Sequence, residues 1–272
     1  MITINRDKCI GCGLCVKDCV QNNIKIIDKK ATLLNTSCIM CGHCISICPQ
    51  FATEAADMSK SDVINEMVPK IKRDNADSYL HEVISRRSIR NFTKQKVERH
   101  LIDKLITIGR YSHTSANRQT NSYIVIQDTL PQFRSDVINT LKQLSINIKQ
   151  DTKSIPLYLN YANIWDLAYE QLKNKEGFDC IFHKSNLILI VNGDNDTDVA
   201  IAATNIENMV YSLGLGMYFS TFIKVAIEKN PSLQKKLGIL SSNASLLCMV
   251  IGYPNVTYYR IPPRKESKVT WL

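Results

Sequence analysis

The sequence predicts an α+β chain of 272 residues in two unequal parts. Eight of the ten cysteines fall between Cys9 and Cys48, which sets a small cysteine-rich N-terminal part apart from the rest. Further on, helical patterns alternate with strand-sized apolar runs at 187–191 and 246–251. A composition of 44% hydrophobic and 22% charged residues is that of a folded chain and excludes disorder as the main state.

The apolar runs are far too short to cross a bilayer, and Met1-Ile2-Thr3-Ile4-Asn5-Arg6-Asp7 lacks the apolar core of a signal peptide. No membrane partner is therefore expected, and the expected location is cytoplasmic. In that compartment closely spaced thiols are read as metal or redox ligands rather than disulfides. They form two copies of one spacing, Cys9-x2-Cys12-x2-Cys15-x3-Cys19 and Cys38-x2-Cys41-x2-Cys44-x3-Cys48-Pro49, repeated after 29 residues. Gly11 and Gly13 of the first are answered by Met40 and Gly42 of the second. The short loops can bring each sulfur round to a different iron of a cubane. Two C-x2-C pairs would satisfy one zinc, which leaves the third closely spaced cysteine of each half surplus. Two 4Fe–4S clusters are the expectation.

Over residues 1 to about 58 the segment resembles the bacterial two-cluster 4Fe–4S ferredoxins. In ferredoxins of this spacing the fourth cysteine of each run ligates the other cluster. The resemblance thus implies Cys9, Cys12, Cys15 and Cys48 for cluster one, and Cys38, Cys41, Cys44 and Cys19 for cluster two. Val20 stands where proline commonly follows the first run, whereas Pro49 keeps it in the second. Segments 24–27 and 31–34, separated by Asp28-Lys29-Lys30, read as a hairpin. Ile10, Leu14, Ile39 and Ile45 are expected to keep water off the clusters. His43 reads as a solvated loop residue. Residues 59–77 are polar, with Pro69 against any long helix, and read as a linker between domains at 1–58 and 78–272.

From Ser78, a helix carrying Tyr79, Val83 and Ile84 is expected to end in Ser85-Arg86-Arg87-Ser88-Ile89-Arg90. Arg86, Arg87, Ser88 and Arg90 supply donors suited to a phosphate. A solvated basic end set favourably against the helix dipole explains the same residues. A helix over 97–108, the string Thr114-Ser115-Ala116-Asn117-Arg118-Gln119 and a strand over 122–127 follow. Near the end come Gly252-Tyr253-Pro254 and Pro262-Pro263-Arg264-Lys265.

As an ordered set, these motifs make residues 78–272 similar to the nitroreductase family of FMN flavoproteins. The resemblance implies a central, mostly antiparallel sheet flanked by helices, and a homodimer with two FMN at the subunit interface. It implies that Arg86, Arg87, Ser88, Arg90 and Arg264, with Lys265, hold the FMN phosphate and ribityl chain. It places Asn117 and Gln119 near the flavin and the dimer interface, and backbone amides near Ser220 and Thr221 against the reactive ring nitrogen. No catalytic side chain is implied, because the flavin carries the chemistry. Thr114-Ser115 and Thr120 stand where the family often has prolines around this second motif.

Gly214-x-Gly216 fails as a dinucleotide fingerprint, since Phe219 replaces the third glycine and a helix precedes it. By its residues alone it is equally a helix C-cap and turn. Asp194-x-Asp196-x-Asp198 lacks the glycine and glutamate of an EF-hand, with Val199 and Asn205 in their places, and reads as a capping loop. Cys180 and Cys248 read as inert core residues, and Tyr158, Tyr161 and Trp165 as a core stripe. The net charge of +9 comes without a run of five basic residues, so no nucleic-acid partner is expected. Two clusters with their thiolates would bring about −4 and a flavin phosphate about −2.

The expected activity is an FMN-dependent oxidoreductase that takes single electrons through two 4Fe–4S clusters. Its acceptor would be a small electron-poor organic molecule such as a nitroaromatic or quinone. The donor would be a low-potential carrier, a ferredoxin or flavodoxin, or NAD(P)H. The alternatives are a redox sensor or electron-transfer protein without a substrate, and an FMN-dependent dehydrogenase or dehalogenase.

Overall fold

The computed structural model describes residues 2–34, 38–55, 76–151, 153, 155–174, 179–239 and 244–272. The expected linker at 59–77 lies outside them except for its last two positions. The chain forms two compact units, Met1–Lys72 with Thr114–Gln119, and Arg73–His113 with Thr120–Leu272.

In the first unit, β1 (Ile2–Ile4) pairs antiparallel with β4 (Thr53–Ala55), so the two ends of the segment meet. Between them β2 (Ile24–Ile27) and β3 (Lys30–Leu33) form a hairpin in which Ile27 faces Lys30. The loop is therefore the two residues Asp28-Lys29, one shorter than expected. Both adopt left-handed backbone, φ 48° and 60°, as a type I′ turn requires to match the strand twist. Each cysteine motif coils into one helical turn, α1 (Leu14–Lys17) and α2 (His43–Ser46), entered through left-handed Gly13 and Gly42. Ile24, Ala31 and Ala52 form the buried apolar centre among the cysteines.

The second unit is built on a four-stranded antiparallel sheet of order β5–β6–β8–β7: β5 (Ser122–Ile126), β6 (Leu187–Gly193), β8 (Ser245–Gly252) and β7 (Gly216–Phe219). Helices are α3 (Ala76–Ser85), α4 (Arg99–Arg110), α5 (Leu130–Gln150), α6 (Pro156–Asn174), α7 (Asp196–Ser212), α8 (Thr221–Glu228) and α9 (Pro231–Lys236). Ile188, Ile190, Cys248 and Val250 face a core shared with α5, α6, α8 and α9. Leu187, Leu189, Val191, Met249 and Ile251 face a second core with α4 and α7. Covering both faces explains why these central strands read as unbroken apolar runs rather than alternating ones. Each fully buried Leu, Ile or Val there contributes about 1.5–3 kcal/mol relative to exposure.

Several boundaries differ from the sequence reading for local reasons. The helix expected at 97–108 is α4, two residues later, because Glu98 occupies its extended N-cap position. The acidic string before α7 is capped by Asn195, whose side-chain oxygen accepts the N–H groups of Thr197 and Asp198 at 2.8 and 3.1 Å. After α7, left-handed Gly214 (φ 71°) closes the helix, with Leu215 N–H donating to Val210 O at 3.0 Å. Tyr161 and Trp165 stack on the inner side of α6, with ring centroids 6.5 Å apart.

Gly216 opens β7 where the chain after α3 passes over it. Ile89 N–H donates to Met217 O at 2.9 Å, and a Cβ on Gly216 would meet Ile89 Cγ1 at 2.5 Å and Ile89 Cβ at 2.9 Å. Gly216→Ala is expected to destabilise the second unit by about 1–3 kcal/mol, as overpacking does. Thermal unfolding of the variant should show a lower midpoint with unchanged iron content.

Candidate functional site

The cysteine motifs of the first unit surround two hollows. One is lined by Cys9, Cys12, Cys15 and Cys48. The other is lined by Cys19, Cys38, Cys41 and Cys44. Each thus takes three thiols from one motif and the fourth from the other. Four thiols drawn from two motifs suit a cubane, whose thiolates meet four different irons.

Backbone N–H groups point at the sulfurs: Ala31 at Cys9 Sγ (3.4 Å), Asn23 at Cys19 Sγ (3.3 Å), Met40 at Cys38 Sγ (3.4 Å) and Ala52 at Cys48 Sγ (3.3 Å). Such bonds favour the more negative, reduced cluster and raise its potential. Burial opposes ionisation of Cys9, yet the Ala31 and Gly11 N–H groups with Lys30 and Arg6 hold its thiol below the ordinary range. Burial and the neighbouring Cys41, Cys38 and Cys15 push the Cys44 thiol up to about 11. Crowded thiols of this kind ionise when a cation arrives to offset their charge. Ile10 and Leu14 line the first hollow but are 62% and 39% exposed, so they shield it less than the sequence suggests. A unit this small cannot bury every apolar group. His43 is exposed on the first turn of α2, with Nδ1 3.5 Å from an Asp18 carboxylate oxygen.

In the second unit the string after α3 and the β7–α8 junction come together. Ser88 bridges Met217, and the Arg90 guanidinium lies 5.1 Å from the centre of the Tyr218 ring. Arg86 Nη1 donates to Glu207 Oε1 on α7 at 2.6 Å, and Arg87 Nη2 donates to Ile84 O. Burial raises the Glu207 pKa against the opposing pull of Arg86. Among the described residues, the Nε atoms of Arg86 and Arg87 are buried without hydrogen-bond partners. Two cationic donors left open in this way fit an anion such as a phosphate. The sequence reading missed Glu207; an acidic residue beside Ala203, Ile206 and Val210 of an apolar helix face was the available signal.

Ser220 caps α8 by accepting the Ile223 N–H at 3.3 Å, and its own N–H donates to Cys248 O at 2.8 Å. That N–H is committed to the fold. Thr221 occupies the first position of α8, where a helix leaves its N–H without an internal partner.

Asn117 and Gln119 belong to the first unit by their contacts. Asn117 Nδ2 donates to Met40 O at 2.7 Å and to Ile39 O at 3.4 Å. Gln119 N–H donates to Thr114 Oγ1 at 3.0 Å. Arg264 and Lys265 lie exposed on the C-terminal tail, which forms no helix or strand there. Cys248 is fully buried in β8 and burial drives its thiol pKa upward; Cys180 is half-buried and shifted the same way. Neither is a reactive thiol.

Residues 83–253 match the nitroreductase family model. The chain belongs to the nitroreductase family. Residues 1–49 match the 4Fe-4S dicluster domain, so this nitroreductase carries an N-terminal two-cluster iron–sulfur domain. Solved structures similar to it include a nitroreductase with bound FMN from Bacteroides fragilis, with TM-score 0.53 and 14% identity over 71% of this chain and 98% of that one. A nitroreductase with bound FMN from Desulfitobacterium hafniense has TM-score 0.52 and 18% identity over 71% and 97%. A BluB-like flavoprotein from Clostridium difficile has TM-score 0.51 and 17% identity over 69% and 94%. At these identities the likeness is one of fold. No curated protein matches the chain. No helix among the described residues of this nitroreductase is long and apolar enough to cross a membrane.

The crossed arrangement of the thiols makes a sharp prediction. Cys19→Ala with Cys41→Ala strikes one hollow twice and should leave about four of about eight irons per chain. Cys19→Ala with Cys12→Ala strikes both and should leave almost none. Equal iron content in the two anaerobically purified double variants would refute the crossed ligand sets.

Proposed function

We propose that this nitroreductase is an FMN-dependent enzyme that reduces an electron-poor organic acceptor with electrons received one at a time through its two clusters. The observation that carries the reading is the presence on one chain of two four-thiol hollows and a nitroreductase fold with open buried guanidinium donors. Cys9, Cys12, Cys15 and Cys48 hold cluster one; Cys38, Cys41, Cys44 and Cys19 hold cluster two. FMN, when bound, supplies the conversion between one-electron and two-electron chemistry. Arg86, Arg87, Ser88 and Arg90 grip its phosphate and ribityl chain, with Glu207 fixing the Arg86 fork from behind. The Thr221 N–H, at the positive end of α8, is the donor placed to stabilise negative charge on the ring, a role that Ser220 N–H cannot share. Asn117 and Gln119 border the flavin.

The working form is a homodimer, and Arg264 and Lys265 complete the phosphate grip once the tail has a partner to pack on. Support comes from apolar groups left in solvent by the single chain: Tyr259 and Trp271 on the tail are 90% and 91% exposed, and Leu157, Tyr158 and Leu167 stand out from α6. The donor is a low-potential ferredoxin- or flavodoxin-like carrier, which matches the one-electron capacity of each cluster. The eight thiols suit a reducing, cytoplasmic setting.

Arg86→Ala should weaken FMN binding roughly 10- to 100-fold, the worth of a charge-assisted hydrogen bond of about 1.5–3 kcal/mol. Iron content should not change, and fluorescence titration with FMN measures the effect. A Cys12→Ala, Cys41→Ala double variant should lose turnover of a nitroaromatic with reduced ferredoxin as donor. Full turnover by that variant refutes the electron route, and negligible turnover by the intact enzyme with any nitroaromatic or quinone refutes the reduction of such acceptors.

A further inference from the structure

The helix that leads into the arginine string meets α7 through polar side chains. α3 has no buried residue, and Tyr79, Leu80 and Ile84 on it stay exposed. Asn208 Nδ2 donates to Tyr79 Oη at 3.3 Å, and Ser212 Oγ donates to Glu82 Oε2 at 3.0 Å. Ser85 Oγ and Tyr211 Oη share a hydrogen bond of 2.9 Å, and Arg86 Nη1 reaches Glu207 Oε1 at 2.6 Å. The α7 partners fall in two rows, 207 with 211 and 208 with 212, the four-residue spacing of one helix face. They form a comb that grips α3 along its length and ends on the first arginine.

Both arginines spend part of their donor set on this arrangement. Arg86 is committed to Glu207 through Nη1, and Arg87 Nη2 donates to Ile84 O in the last turn of α3. Among the described residues, the Nε of each is buried without a hydrogen-bond partner. The open donors therefore stand where α3 and the comb put them.

We propose that Asn208, Tyr211 and Ser212 are positioning residues for the phosphate grip. They hold α3 so that Arg86 and Arg87 present their open Nε–H groups to the FMN phosphate, and the phosphate in turn locks α3 onto α7. The inference rests on the FMN reading above.

Two physical effects support the coupling. An isolated helix shorter than about 12–15 residues is marginal in water, and α3 has 10. With no side chain fully buried, its order depends on the comb, whose half-exposed bonds are individually weak. Docked and frayed forms of α3 thus lie close in free energy. An anion that needs both arginines in place binds the docked form alone and shifts the population toward it. Loosening the comb lowers the docked fraction and weakens the anion by the same factor.

The test is hydrogen–deuterium exchange of the iron-loaded protein over peptides spanning residues 76–86, with flavin titrations alongside. Saturating FMN should slow exchange there about tenfold or more, whereas riboflavin, which has the ring and ribityl chain but no phosphate, should leave it unchanged. Tyr211→Phe with Ser212→Ala should speed exchange in α3 and raise the FMN Kd about tenfold. Its riboflavin Kd, iron content and thermal midpoint should stay native, a selectivity that a merely structural defect would not show. His81 is exposed at the middle of α3. His81→Pro breaks the helix and should abolish the preference for FMN over riboflavin, while His81→Ala keeps the helix and the preference. The proposal is overturned if FMN and riboflavin protect α3 alike, if neither does so when bound, or if either the double variant or His81→Pro keeps the native preference for FMN. A native protein that takes up no flavin would instead sink the FMN reading, and protection of α3 by inorganic phosphate would then decide whether an anion on the arginines closes the comb.

Discussion

The chain must reverse between successive cysteines if several thiols are to face one hollow, and the N-terminal unit is organised around that requirement. Left-handed residues do the turning: Gly11, Gly13 and Gly42, and the side-chain-bearing Met40 at the place of a glycine. The short helices α1 and α2 then swing Cys19 and Cys48 away from their own motifs, so each completes the other hollow. Burial and mutual repulsion resist ionisation of several of these thiols, as the raised Cys15 and Cys44 pKa values record. The β1–β4 pairing and the hairpin hold them together all the same. Iron, when bound, would supply the positive charge that offsets this repulsion.

The second unit solves a different problem. Its central strands are sealed on both faces, which leaves little of the sheet available for chemistry. Polar function is pushed to the edge strand β7 and to the chain segment running beside it. There Gly216 lets Ile89 approach, Ser88 and Arg90 are carried into position by that approach, and Ser220 turns the chain into α8. The donors that matter are those the fold does not consume for itself. Ser220 N–H is spent on the sheet, whereas the arginine Nε atoms are not.

The cysteine pattern was legible in the sequence because its chemistry depends on short, fixed spacing, and the hairpin between its two copies was legible for the same local reason. The turn length was not, because Lys29 stands where a two-residue left-handed turn usually has glycine. The paired apolar runs of β6 and β8 announced buried strands. By contrast, α5 was not foreseen as a helix and of α6 only the aromatic stripe Tyr158, Tyr161 and Trp165 stood out, since their buried positions are spread thinly along lengths of 21 and 19 residues. The arginine string was visible, but whether it was a solvated helix end depended on Glu207, more than a hundred residues away. The association of Thr114–Gln119 with the cysteine unit had no local signal, since it is made by carbonyl groups of Ile39 and Met40 that every sequence possesses.

That association bears on how such a protein could be taken apart or recombined. The iron–sulfur unit is not a contiguous cassette, because one of its pieces is threaded in from between α4 and β5. A cut made after residue 58 would carry away all eight cysteines yet leave behind the amide that engages Met40. Exchange of this module with another ferredoxin would therefore have to bring, or rebuild, a matching loop in the recipient, which ties the inheritance of the two halves together.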